Sequence, residues 1–173
     1  MKSIAVLTSG GDAPGMNTAI RTVAKVGAAR GVRVLGVENG YDGLIDGQFR
    51  ELTHTAPGNP ENAYPTSEVE RMGSMGGTAL GSARSQRFRT PEGRAQAGEQ
   101  LKAVDGLIVI GGNGSMAGAH QLATEIKTPL IGIPASIDND IGCTSTAIGV
   151  DTALNTIIEA CDRISDTARA HHR

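Results

Sequence analysis

Aromatic residues are almost absent from this 173-residue chain: two Tyr, two Phe and no Trp, or 2% of the whole. A core must therefore be assembled from Val, Ile, Leu, Ala and Met, and a chain of this length can bury one without metals or disulfides. Two cysteines, Cys143 and Cys161, are too few for a disulfide framework, and neither has metal-ligand spacing. They fit a reducing, cytosolic setting. The four histidines, His54, His120, His171 and His172, also lack metal spacing. No apolar run approaches the roughly 20 residues needed to span a bilayer. The net charge of −2 supplies no field to attract nucleic acid or an anionic membrane. The length suits one domain, or a large domain plus trimmings.

Glycine, by contrast, is plentiful, at 24 residues gathered in short clusters, as tight loops between regular elements require. Residues 3–8 read as a buried strand and 9–15 (Ser-Gly-Gly-Asp-Ala-Pro-Gly) as a sharp loop. A helix over about 16–30 carries Ile20, Val23 and Val26, with Gly31 as its C′ glycine. Residues 32–37 form a second strand. Gly40–Leu44 reads as a turn and 55–66, with three prolines, as an irregular loop. Residues 91–102 read as a helix with Pro91 near its start. The unbroken apolar run at 107–110 is a strand buried on both faces. The glycine loop 111–115 follows, then a helix to about 127, a further buried strand at 130–133 and the loop 134–140. The last segment places Val150, Leu154, Ile157, Cys161 and Ile164 on one helical stripe. Strands alternating with helices predict a three-layer, Rossmann-like α/β domain with a mostly parallel sheet.

Three polar or glycine-rich segments, 9–15, 111–115 and 134–140, each follow a predicted strand. In open α/β sheets the ligand crevice lies beyond the carboxyl ends of the strands, so the three should meet at one edge. Ser9-Gly10-Gly11 before a helix lets backbone N–H groups approach a phosphate, although an ordinary strand-to-helix turn also uses glycine. It is not the Gly-x-x-x-x-Gly-Lys-Ser/Thr loop of P-loop enzymes. Gly111-Gly112-Asn113-Gly114-Ser115 removes side chains that would obstruct a nucleotide, and Ser115 could cap the next helix. In Ser136-Ile137-Asp138-Asn139-Asp140, two carboxylates crowd one loop and need a cation or ligand to offset them. Phosphoryl transfer needs such a carboxylate beside the attacking hydroxyl and oxygen ligands for Mg²⁺ or its waters. Gly76–Arg84 is a fourth glycine-rich loop, and its Arg84 suits phosphate. Arg87 and Arg89 read as a solvated basic turn.

In order and spacing, Ser9–Asn17, Gly40–Leu44, Gly76–Arg84, Gly111–Ser115 and Ser136–Asp140 resemble the N-terminal, nucleotide-binding half of the ATP-dependent 6-phosphofructokinases. The likeness runs from residue 3 to 173. It implies that Mg-ATP phosphorylates the 1-hydroxyl of fructose 6-phosphate, with Asp138 as general base and Arg84 stabilising the transferring phosphoryl group. Gly11, Tyr41, Arg84, Gly112, Asn113, Gly114, Ser115 and Gly118 match nucleotide-site positions. Ser136, Asp138 and Asp140 match sugar-site positions, and Arg173 matches an arginine that reaches a neighbouring subunit's sugar-phosphate site. Family members are usually cytoplasmic homotetramers.

Three departures from the family pattern bear on this. Asn113 stands where relatives have a carboxylate beside Mg²⁺; its amide can still bind the metal or a metal-bound water but supplies no charge, so either metal affinity falls or Asp138 and Asp140 carry more of the load. Arg21 and Lys25 match an allosteric nucleotide site, but a partner arginine of that site is Ser165 here. The family's second domain, with the remaining sugar-phosphate residues, lies outside these 173 residues. Donor choice also follows from the resemblance. Gly114 and Ala135 stand where pyrophosphate-using relatives tend to have Asp and Lys, which favours ATP. The alternatives are a pyrophosphate-dependent enzyme and a non-catalytic nucleotide-binding half.

Overall fold

The structure is a computed structural model that describes residues 2–56 and 59–171. Strands β1 (Ser3–Ser9), β2 (Arg33–Val37), β3 (Phe49–Glu51), β6 (Leu107–Gly111) and β7 (Leu130–Pro134) form one sheet in the order β3-β2-β1-β6-β7. All its pairings are parallel except the β2–β3 edge. Strands β4 (Thr53–Ala56) and β5 (Asn59–Pro65) form a separate antiparallel pair.

Period-2 alternation splits the sheet's side chains between two cores. Ala5, Leu7, Leu107 and Val109 pack with α2 (Gly40–Asp46), α4 (Pro91–Gln100) and α5 (Asn113–Glu125). On the other face Val6, Val34 and Ile110 pack with Met16, Ile20 and Ala24 of α1 (Met16–Ala29) and with Val69 and Met72 of α3 (Ser67–Met72). The three-layer α/β expectation is met.

Local chemistry explains the helix ends. Gly31, at φ 66°, is the left-handed C′ residue beyond α1. Thr90 caps α4, its hydroxyl accepting from Gly93 N at 3.1 Å, with Pro91 in the first turn. That helix ends at Gln100 and passes into a 3₁₀ turn over Leu101–Ala103.

Four expectations are corrected. Residues 40–44 are not a turn but begin α2, whose Tyr41, Leu44 and Ile45 supply an apolar face to the core. Most of 55–66 is strand rather than irregular loop. The segment 130–133 is an edge strand, not a fully buried one: Ile131 is 62% exposed. The apolar stripe is correctly placed on α6 (Val150–Ala170), but only Val150 is buried, and Leu154, Ile157, Cys161 and Ile164 face solvent.

Candidate active site

The sheet order creates a switch point. From β1 the chain turns into α1 on one face, and from β6 it turns into α5 on the other. Where two such connections diverge, a crevice opens beyond the strand ends. A cavity of about 730 Å³ occupies it, reached by Ser9–Asp12, Tyr41, Ala83–Ser85, Gly112–Ser115 and Ala135–Asp138 with Asp140. The three loops expected to converge do so.

The floor is tied together by buried polar groups. Ser115 Oγ donates to the Ser9 carbonyl at 2.9 Å, joining the start of α5 to the end of β1. The expected cap role for Ser115 is thereby corrected: Gly112 is the N-cap residue of α5 and Ser115 lies inside the helix. Gly10, at φ 88°, makes the turn away from β1, and a Cβ there would lie 3.3 Å from Ser115 Oγ. At Gly11 and Gly114 a Cβ would meet no atom within 4 Å. Both positions line the cavity, so these glycines leave open volume facing it. Backbone N–H groups at the start of α5 lack intrahelical partners and carry the positive end of the helix dipole. An anion with a substantial tail suits that geometry.

One wall is aromatic. Tyr41 and Phe88 stack with centroids 3.8 Å apart and planes at 11°. Gly118 lies against both rings, its Cβ position 3.3–3.4 Å from them. Tyr41 Oη donates to the Ser115 carbonyl at 2.7 Å, and burial pushes its hydroxyl far above the ordinary tyrosine range. The unfolded chain therefore loses this proton first as pH rises, and stability declines from about pH 10 upward. Tyr41→Phe is expected to lower stability by about 1 kcal/mol at pH 7. It should also remove that alkaline decline, as urea midpoints at pH 7 and 11 would report.

The opposite wall is the 136–147 loop. Asn139, at φ 51°, accepts from Ala147 N at 3.0 Å and donates to the Ser145 carbonyl at 3.2 Å. It thereby holds Asp138 and Asp140 on either side of itself, both exposed and both on the cavity. Asp138 N donates to Ser136 Oγ at 3.2 Å. Arg84 is exposed on the cavity rim, and no hydrogen bond or ion pair among the described residues holds its guanidinium.

Other predicted residues lie elsewhere. Arg21 and Lys25 both pair with Glu70, at 2.7 and 3.2 Å, and their positive groups hold that carboxyl below its usual range. Arg87 forms a bidentate pair with Asp46, at 2.8 and 3.0 Å. Arg173 is outside the described residues. Among the described residues no cluster of three or more Asp, Glu, His or Cys could hold a metal by itself.

Asp12, Phe88, Arg89 and Arg94 also line the cavity, and none was singled out for it from sequence. Phe88 carried a usable signal, being one of four aromatics in the chain. Arg89 sits two residues from Arg87 but, unlike it, faces the cavity.

A family model described as Phosphofructokinase matches residues 3–173. An ATP-dependent 6-phosphofructokinase of Thermotoga petrophila is 50% identical over 175 residues, which take in all of this chain and 51% of that protein. The chain thus spans about half the length of the curated relatives it matches. The structure superposes on a Saccharomyces cerevisiae phosphofructokinase with TM-score 0.82 and 38% identity, over the whole chain and 25% of that protein. A Pichia pastoris phosphofructokinase in the T-state gives TM-score 0.83 and 36% identity, over 94% of this chain and 18% of that one. With the motif loops gathered on one crevice and sequence and fold agreeing over their full extent, the chain belongs to the phosphofructokinase family.

Proposed function

We propose that this chain is the ATP-binding half of a cytosolic 6-phosphofructokinase, which transfers the terminal phosphoryl group of Mg-ATP to the 1-hydroxyl of fructose 6-phosphate. The observation that carries this reading is the meeting of the glycine loop after β1, the glycine-rich start of α5, Arg84 and the Asp138–Asp140 loop on one cavity.

Each part has a physical role. Gly11 and Gly114 leave room for the phosphate tail, and the start of α5 offers it N–H donors. Gly118 and Tyr41 bound the nucleotide side. Arg84 offsets charge on the transferring group, which is the main demand of such reactions. Asp138 takes the proton of the sugar hydroxyl as its oxygen attacks phosphorus and ADP leaves. Ser136 and Asp140 orient the sugar.

The donor set suits a magnesium ion that arrives on the nucleotide. Such an ion keeps several waters and takes only one or two protein oxygens, and Asn113, Asp138 and Asp140, each with a side-chain oxygen, all line the cavity. Bound there, it would neutralise phosphate charge. The remaining sugar-phosphate contacts would come from a second half of the kind found in longer relatives. A tetramer with sites shared between subunits, Arg173 reaching across, is part of the same proposal, and Arg21 and Lys25 are its candidate effector residues.

Calorimetric titration of Mg-ATP into the chain tests the reading: a folded chain that takes up no nucleotide ends it. In an assembly that turns over, Asp138→Asn should lower kcat by about 10²–10⁴-fold. An unaltered kcat would remove Asp138 from its role.

A further inference from the structure

Among the described residues the buried polar side chains are Thr8, Ser9, Asn17, Thr53 and Ser115. Ser9 and Ser115 line the cavity, while Thr8 on β1 and Asn17 on α1 hydrogen-bond to the 75–81 segment behind it. Asn17 is among those that no step of the proposed reaction uses, and it makes the most hydrogen bonds to a distant segment. It lies in the first turn of α1 and is only 2% exposed. A buried amide is costly unless satisfied, and this one is satisfied by a distant stretch of chain. Its Nδ2 donates to the Met75 carbonyl at 2.9 Å and to the Gly76 carbonyl at 3.3 Å. Its Oδ1 accepts from Ala79 N at 2.7 Å.

The stretch so gripped runs directly into Arg84. Other side chains hold it too. Arg50 Nη2 donates to the Ala79 carbonyl at 2.7 Å, so residue 79 is held at both its N–H and its carbonyl. Thr8 Oγ1 donates to the Gly81 carbonyl at 2.8 Å and lies 2.7 Å from Thr78 Oγ1. The single Thr8 proton is already used, so Thr78 is the donor in that pair. Ser82 Oγ donates to the Gly10 carbonyl at 2.5 Å. Arg84 itself has none of these anchors. Its place over the cavity is therefore set by the backbone on either side: Ser85, whose hydroxyl donates to Asp42 at 2.5 Å, follows it, and 75–83 precedes it, where Asn17 makes more of the side-chain contacts than any other residue.

We propose that Asn17 is a positioning residue: it acts through the 75–83 segment to hold Arg84 over the terminal phosphates of the nucleotide. The inference rests on the ATP-binding reading above. Asn17 touches no ligand, so its effect should appear only where Arg84 has something to bind.

The test is a double-mutant cycle read by calorimetry with Mg-ATP and with AMP, which lacks the outer phosphates. Asn17→Asp keeps shape and the Oδ1 acceptor but turns an oxygen towards the Met75 and Gly76 carbonyls. It should weaken ATP binding about tenfold, the equivalent of one charge-assisted hydrogen bond, and leave AMP binding within twofold. In an Arg84→Ala background the same substitution should change ATP binding by less than twofold. Should Asn17→Asp not fold, Ser82→Ala, which cuts the tie to Gly10, is expected to give the same pattern at smaller amplitude. Equal losses for ATP and AMP, or a tenfold loss that persists without Arg84, would overturn the positioning role. Wild-type chain that binds neither nucleotide would instead overturn the function on which it stands. Hydrogen exchange over 75–83 then decides the clamp alone, since it must quicken in Asn17→Asp whatever the ligand.

Discussion

Gly114→Asp should weaken Mg-ATP binding about a hundredfold and leave the fold as stable as before, or more so. The two halves of that expectation have separate causes. A Cβ at Gly114 meets nothing within 4 Å, so the larger side chain displaces no protein atom. Gly114 is the second residue of α5, whose first turn contains no acidic residue. A carboxylate there complements the helix dipole by roughly 0.3–1 kcal/mol, and replacing helical glycine helps further. Towards a bound polyphosphate the same charge is adverse. Two like charges 4 Å apart repel by about 4 kcal/mol at an effective dielectric of 20, and two-thirds of that is a hundredfold. Gly114→Ala, which fills part of the space without charge, should cost far less, and added salt should narrow the gap between the two variants. Titrating pyrophosphate into the same three proteins asks whether the aspartate acts by excluding the nucleotide or by repelling any phosphate. An ATP affinity in Gly114→Asp within threefold of the parent would mean that the start of α5 is not where the phosphates sit.

The features that place the site were readable because they rest on two local rules. Buried parallel strands such as 107–110 appear as unbroken apolar runs, and glycine-rich segments directly after them mark the crevice edge. What escaped depends on contacts far apart in sequence. Gly40 and Gly43 look like turn residues, yet they let α2 approach the sheet and the strand that precedes it. A Cβ at Gly40 would lie 2.8 Å from the Thr8 carbonyl, and one at Gly43 only 1.6 Å from that of Glu38. The glycines therefore mark close packing of a helix, and nothing within 40–44 says so. Strands β4 and β5 lack the alternation of a half-buried hairpin. Their prolines mask pairing that packing against α1 supports. In α6 periodicity revealed the amphipathic face but not its cover, since a stripe says which side is apolar without saying what meets it. Among the arginines, Arg87 was correctly read as a surface residue, and its partner Asp46 is on α2, the element that was missed. Arg89, read from sequence as part of the same solvated turn, instead lines the cavity with Arg84.

A structural effect that also reaches the site is expected at Gly111, where the architecture and the cavity share one residue. Gly111 ends β6 and stands between Ser9 of β1 and Pro134 of β7. A Cβ there would be 2.6 Å from the Ser9 carbonyl oxygen, 2.7 Å from Ser115 Oγ and 2.8 Å from Ser115 Cβ. Two of these neighbours are backbone or backbone-attached, so no rotamer change relieves them. Either the end of β6 parts from β1 or the first turn of α5 shifts, and both movements break the Ser115–Ser9 hydrogen bond. Overpacking of this kind costs about 1–3 kcal/mol, and a buried carbonyl deprived of its partner adds about 1 kcal/mol. At about 2–4 °C per kcal/mol for a chain of this size, Gly111→Ala should lower Tm by roughly 4–16 °C. Because Ser115 contributes two of the three close approaches, the cost should be less than additive with Ser115→Gly: the double variant should melt above the sum of the two single losses. Full additivity would place the strain wholly against Ser9 and exempt α5. Well below its melting temperature, Gly111→Ala should still bind Mg-ATP more weakly than the parent, since the displaced turn is the one that presents its N–H groups to the cavity. An unchanged affinity in the folded variant would separate the strand junction from the phosphate site.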